Sequence, residues 1–290
     1  MHPTIERLIT AGPVVTDGAW GTQLQARGLA IGEFPDAWNL THPDGVSEIA
    51  CMYVNAGSRV ILTNTFGANR IRLAEYSLAD RVVEINRRGV EISRAVAAGK
   101  AAVFASIGPS GKLLLNAEVT ANELHAAFEE QAGALAQGGA DALVVETMSD
   151  LAEAKLAVAA ARTTGLPVVA CMVFDSGKNL DRTMMGTTPE QAARELSVAG
   201  ADVIGANCGQ GIAGFLPICQ RLRAATDRPI WMKPNAGLPQ LVGGRPVYAG
   251  TPEDFAGHVP ALIAAGASFI GGCCGTSPEF ISAICHRLAS

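Results

Sequence analysis

Short apolar runs rich in β-branched residues alternate along the whole chain with longer, Ala-rich stretches whose apolar positions recur at helical spacing. That alternation marks βαβ units and a parallel sheet. In order, the strand candidates are Pro13–Thr16, Arg59–Asn64, Ala102–Ser106, Ala142–Glu146, Pro167–Phe174, Asp202–Asn207, Pro229–Pro234 and Ala267–Gly272. Between them the spacing predicts helices that include Ala79–Ala98, Ala121–Gly138, Ser149–Thr163, Pro189–Ala199 and Pro252–Ala265, with another starting at Ser277-Pro278-Glu279. Three of these close on Gly138-Gly139, Gly200 and Gly266, which places a glycine at the C′ position just before the next strand. Eight strands with helices between them, in somewhat more than the roughly 250 residues typical of the fold, predict a single (β/α)8 TIM barrel. The competitor is an open doubly wound sheet, which usually carries a G-x-G-x-x-G loop after its first strand. Asp17-Gly18-Ala19-Trp20-Gly21-Thr22 lacks that spacing. No linker or low-complexity segment interrupts the repeat, so residues 1–290 read as one domain. Thr22 to Ile49 shows no clear periodicity and is expected to be a loop insertion over the barrel mouth, with Gly177 to Thr188 as a second long loop.

Composition narrows the function. The chain has 290 residues, 49% hydrophobic and 17% charged, with net charge −5 and a pI near 5.6. It can bury a large core, and it has neither a basic footprint for nucleic acid nor a polybasic segment for anionic lipid. The N-terminus has no cationic run followed by an apolar core. No apolar run approaches the roughly 18 residues of a membrane span, so a cytoplasmic protein is expected. Seven cysteines without an export signal point to reduced thiols. Cys51, Cys171, Cys219 and Cys285 fall within helical or strand patterns and are expected to be small buried hydrophobes.

Active sites of such barrels form at the C-terminal ends of the strands. Reading off those ends gives Asp17, Asn64 with Thr65, Ser106, Glu146, Cys208, Asn235, and the pair Cys273-Cys274. Adjacent strand residues point to opposite faces, so two neighbouring cysteines can face one point only if the backbone turns. Gly271, Gly272 and Gly275 permit that turn. Three thiols converging on one rim suit a zinc ion with one exchangeable position. A four-sulfur cluster would want a fourth cysteine nearby. A redox disulfide between adjacent residues would be strained and would leave Cys208 unexplained. Three thiolates carry −3 against +2, a poor Lewis acid for water but a good host for a fourth sulfur, which loses its proton on coordination. The implied chemistry is alkyl transfer to a thiol. His125 and His258 sit in helical patterns and have nothing to recommend them as ligands.

The chain resembles the zinc-dependent homocysteine S-methyltransferases. The matching segments are Thr16–Thr22, Thr63–Arg70, Val144–Thr147, Gly205–Cys208, Lys233–Pro239 and Gly271–Thr276, running from the first strand to the last. In motifs they are most similar to the homocysteine barrel of cobalamin-dependent methionine synthase, with betaine–homocysteine and S-methylmethionine enzymes as further relatives. The resemblance implies Cys208, Cys273 and Cys274 as zinc ligands and Asn235 as the oxygen ligand in the absence of substrate. It also implies that Asp17 and Glu146 hold the substrate amino group, with the backbone around Gly18 and the Asn64-Thr65 pair holding its carboxylate.

The methyl donor is less legible. Little of the chain follows the cysteine pair, with no folate barrel or cobalamin domain. Gly67 stands about where the betaine enzyme has a tyrosine at its donor, and only 5% of residues are aromatic, few of them at strand ends. An aromatic cage for an onium donor is therefore not expected. A methylcorrinoid on a separate protein, or a folate-linked system, is favoured over betaine, a dimethylsulfonio acid or S-methylmethionine. A non-enzymatic alternative is a zinc-free vicinal-thiol protein.

Overall fold

All eight strand candidates form, several of them shorter than their apolar runs. The computed structural model describes residues 1–242 and 245–289. Its barrel strands are β1 (Val14–Val15), β2 (Val60–Ile61), β3 (Ala102–Ile107), β4 (Ala142–Met148), β5 (Val168–Met172), β6 (Val203–Gly211), β7 (Ile230–Asn235) and β10 (Ala267–Ile270). Between the last two lies an antiparallel hairpin, β8 (Pro239–Val242) and β9 (Arg245–Tyr248), that the sequence pattern did not predict. The eight parallel strands run in the order β1-β10-β7-β6-β5-β4-β3-β2. Across the ends of that order Arg59 N donates to Val15 O at 2.8 Å, and Leu62 N donates to Asp17 Oδ2 at 2.7 Å. The barrel's last seam is thus partly stitched by a side chain.

The helices are α1 (Pro3–Ile9), α2 (Gly21–Ala26), α3 (Trp38–Thr41), α4 (Pro43–Asn55), α5 (Arg70–Ala74), α6 (Val82–Ala97), α7 (Ala121–Gln137), α8 (Leu151–Arg162), α9 (Pro189–Ala199), α10 (Phe215–Ala225), α11 (Pro252–Ala264) and α12 (Pro278–Ala289). Capping fixes their starts: Thr120 and Glu123 form a reciprocal capping box on α7, and Thr188 and Thr251 accept backbone N–H groups at α9 and α11. None of the described helices is long and apolar enough to cross a membrane.

Two expectations are corrected, one about a loop and one about cysteine burial. Thr22 to Ile49 is largely helical rather than a loop, because α4 presents Val46, Ile49, Ala50 and Tyr53 to the core at helical spacing. It still supplies Phe34, Pro35 and Asp36 to the barrel mouth. The left-handed glycines that close α7, α9 and α11 are Gly139 (φ 91°), Gly200 (φ 99°) and Gly266 (φ 103°), as expected. Of the four cysteines expected to be buried, Cys171 and Cys219 are, but Cys51 is exposed and Cys285 only half-buried.

Alternation along each strand sorts the core into two layers. Inside the barrel, Val14, Val60, Phe104, Val144, Val169, Val203, Trp231 and Phe269 pack together, with Ile5 of α1 packed against them. The Trp231 and Phe269 rings lie 5.2 Å apart and Phe104 lies 6.0 Å from Trp231. The same parity carried toward the strands' C-terminal ends aims Ser106, Glu146, Asn207, Lys233 and Asn235 into the mouth. Small residues make room for the large ones: Gly205 is paired with both Trp231 and Cys171. A Cβ there would collide with Trp231 O and lie 2.9 Å from Cys171 Sγ. Gly205→Ala should therefore destabilise the fold by about 1–3 kcal/mol, read as a lowered denaturation midpoint. Gly133→Ala, with nothing within 4 Å of its Cβ, should be neutral or stabilising. Equal midpoints for the two variants would contradict this packing.

Candidate active site

The strand ends bring three sulfurs together. Cys208 follows the inward-pointing Asn207 on β6 and has a left-handed backbone, φ 62°. For a residue with a side chain that costs on the order of 1–3 kcal/mol and persists only where surroundings enforce it. Cys273 and Cys274 are held by Cys273 N donating to Pro234 O at 2.7 Å and Ala236 N donating to Cys274 O at 2.9 Å. Thr276 locks the turn: its hydroxyl donates to Cys273 O at 2.7 Å and accepts from Ala19 N at 3.1 Å. The Tyr248 ring lies where a side chain on Gly275 would be, beside Cys274. As a result the three Sγ atoms all lie within 4.8 Å of one another, with Cys208 and Cys274 3.9 Å apart. One negative charge is easily housed there. With the Cys273 and Cys274 thiols donating to it, Cys208 is held far below the ordinary thiol range, and those same hydrogen bonds push Cys273 and Cys274 above it. Three charges need a cation. The buried Asn235 Oδ1 has no hydrogen-bond partner, and the Asn235 side chain reaches Cys208. Three sulfurs and an unpartnered amide oxygen are a donor set suited to a tetrahedral zinc ion.

Beside the sulfurs opens a cavity of about 390 Å³ lined by Gly18, Asn64, Glu146, Cys208, Lys233, Cys273 and Cys274, among others. The two carboxylates expected to act as equals differ. Glu146 faces the cavity, accepts from Ser106 Oγ at 2.5 Å and from Asn207 Nδ2 at 3.3 Å, and is pushed above the usual carboxylate range by burial. Asp17 is fully buried below it. Its Oδ2 accepts from Trp20 Nε1 and Leu62 N, both at 2.7 Å, and its Oδ1 forms an ion pair with Lys233. Lys233 was missed in the sequence. Burial opposes its charge, but Asp17 and Glu146 outweigh that and keep it protonated. Asn64 lines the cavity with its amide donating to Pro35 O at 2.8 Å. Thr65 does not line it: its hydroxyl is spent on Ser106 O and Thr63 Oγ1, and Thr63 takes its place in the wall.

Nearer solvent the wall is aromatic, contrary to expectation: Trp20, Phe34, Phe66 and Tyr76 line it, with the Phe34 and Tyr76 ring centroids 4.6 Å apart and tilted by 39°. These rings come from the loops beyond the strand ends. Among them sits Asp36, almost completely buried and accepting from Gly67 N at 3.0 Å.

Fold and site together define a (β/α)8 barrel with a sulfur-rich ion site at its mouth. The chain belongs to the homocysteine S-methyltransferase family, whose pattern matches residues 14–288. It is 33% identical over 296 residues to the methionine synthase of Mycobacterium tuberculosis, covering 96% of this chain and 25% of that protein. With the Mycobacterium leprae methionine synthase it shares 33% over 292 residues, covering 95% and 24%. It thus spans about a quarter of the length of these relatives. The metallated homocysteine methyltransferase MmuM from Escherichia coli superposes with TM-score 0.82 at 23% identity, covering 99% of this chain and 100% of that one. The apo form gives 0.74 at 22%, covering 98% and 99%. At these identities the likeness to MmuM is one of fold.

Burial raises the Asp36 carboxyl from 3.8 to about 7. The folded chain therefore holds a proton that the unfolded chain has lost, and stability falls as pH rises from 3.8 to about 7. Asp36→Asn should flatten that part of the stability-versus-pH curve, measured by urea unfolding at intervals of pH. An unchanged slope would show that Asp36 ionises normally.

Proposed function

We propose that the protein is a zinc-dependent transferase that moves a methyl group to the thiol of L-homocysteine, giving methionine, and acts in the cytoplasm, where thiols stay reduced. The observation that carries this reading is the group of three sulfurs within 4.8 Å of one another, opening onto a cavity in which Glu146 offers a carboxylate. Cys208, Cys273 and Cys274 would hold the metal, with Asn235 Oδ1 as the oxygen donor that an incoming thiol replaces. Bound there, zinc supplies a coordination position at which a thiol loses its proton at neutral pH.

The chain's own residues do the rest. Glu146, costly to bury as an anion, is stabilised by a substrate ammonium and so selects an amino-acid thiol. Ser106 and Asn207 keep its oxygens aimed at the cavity. Lys233 neutralises Asp17, leaving Glu146 as the group facing the ammonium while Asp17 acts from below. Backbone around Gly18 and the cavity side of Asn64 border the place for the substrate carboxylate. The aromatic wall excludes water. The thiol's proton passes to solvent, its sulfur electron pair forms the S–CH3 bond, and the donor leaves with the pair from its own bond to methyl.

Likeness in sequence to methionine synthases favours a methylcorrinoid or folate-linked donor, brought by a separate partner or another domain. A second reading rests on Trp20, Phe34, Phe66 and Tyr76: an aromatic wall suits a sulfonium or quaternary ammonium donor. Assay of zinc-loaded protein with homocysteine against methylcobalamin, methylated folate, betaine and S-methylmethionine separates the two.

Cys208→Ser and Cys274→Ser should each lose stoichiometric zinc and homocysteine-dependent methyl transfer while far-ultraviolet circular dichroism stays that of the folded barrel. Activity retained without zinc would reject the proposal. Homocysteine binding should release about one proton near neutral pH, read by calorimetry in buffers of different ionisation enthalpy. Binding without proton release would reject thiolate formation.

A further inference from the structure

Asn207 is fully buried, sits beside Cys208, and contacts a cysteine sulfur as well as the Glu146 carboxylate that it helps to aim. Its carbonyl is pinned: Oδ1 accepts from Thr147 N at 2.7 Å. Thr147 itself has φ 61°, a left-handed backbone that a branched residue adopts only when held. Pinning Oδ1 fixes the amide plane and therefore the aim of Nδ2. That nitrogen has two hydrogens and three acceptors within reach: Thr147 Oγ1 at 2.7 Å, Glu146 Oε2 at 3.3 Å and Cys273 Sγ at 3.8 Å. One hydrogen goes to the hydroxyl. The other lies between the carboxylate and the sulfur.

We propose that Asn207 is a positioning residue whose single amide nitrogen orients both the Glu146 carboxylate and the Cys273 sulfur, tying the substrate pocket to the metal site. This rests on the metal-site reading above. Donating to a metal-bound thiolate stabilises its lone pairs and fixes its direction, and such outer contacts typically matter 10–100-fold in metal affinity. Donating to Glu146 keeps one carboxylate oxygen turned toward the sulfurs, so that an amino-acid thiol meets both ends of the site in register. The Thr147 backbone bond is what aims the donor. Among the described residues, no other side chain bonds both Glu146 and one of the three cysteines.

Two variants separate this role from simple support of the fold. Asn207→Asp keeps the acceptor for Thr147 N–H but replaces the donor with an oxygen, whereas Asn207→Ala removes both. With cobalt(II) as the metal probe, both variants should move the sulfur-to-metal charge-transfer band to lower energy, since the thiolate loses a donor. Both should raise the homocysteine KM at least tenfold, and Asn207→Ala should weaken zinc about 10–100-fold in chelator competition. If Asn207→Asp keeps the parent band position and KM while Asn207→Ala does not, the residue merely supports the Thr147 backbone and the proposal fails. Parent values in both variants also overturn it. If the parent protein shows no sulfur-to-cobalt band at all, it is the metal-site reading that fails.

Discussion

Negative charge crowded onto the mouth of a barrel is the constraint on which the rest of this structure depends. Three cysteine sulfurs lie within 4.8 Å of one another, near two buried carboxylates. In a partly desolvated place, like charges at such separations repel strongly, and nearly every polar contact around the rim can be understood as a response. Lys233 is buried against Asp17, Ser106 and Asn207 donate to Glu146, and the thiols donate to one another. Among the described residues Lys233 is the cation buried beside these groups, while Arg72, which also lines the cavity, pairs with Glu75. A divalent ion at the sulfurs and an ammonium at Glu146 would complete the balance, and a thiol amino acid brings that ammonium with it.

The barrel makes this crowding tolerable by separating it from the hydrophobic layer below. On several strands the inward-facing register is apolar near the start and polar near the end, as in Trp231, Lys233 and Asn235 on β7 or Val144 and Glu146 on β4. The lower layer is filled by the rings of Phe104, Trp231 and Phe269, with Trp231 set against Gly205. Of the described non-glycine residues with a left-handed backbone, Thr147 and Cys208 are the two at the site, and both sit where a strand breaks its direction to turn a group into it.

Much of this was legible in the sequence because period-two parity and the rule that barrel sites sit at strand ends act together. Cys208, Cys273, Cys274, Glu146 and Asn235 were found that way, and they do converge. Where a strand ends early, parity no longer holds. β2 stops at Ile61, so Thr65 was placed at the cavity while Thr63 lines it. Lys233 could have been found: a lysine two residues beyond Trp231 on an apolar strand must face inward, and a buried cation demands a carboxylate. Asp17 was then bound to be that partner. The helix α4 is also readable from the helical spacing of Val46, Ile49, Ala50 and Tyr53, although the residues from Thr22 up to it show no such period. The aromatic wall and Asp36 depend on how loops fold over the mouth, which no local periodicity encodes.

X-ray absorption of the zinc-loaded protein, before and after homocysteine is added, tests the sulfur site most directly. Three sulfurs at about 2.3 Å and one oxygen or nitrogen should give way to four sulfurs. A sulfur count that stays the same on adding the thiol, or that falls below three without it, would contradict a metal held by Cys208, Cys273 and Cys274 and opened to substrate.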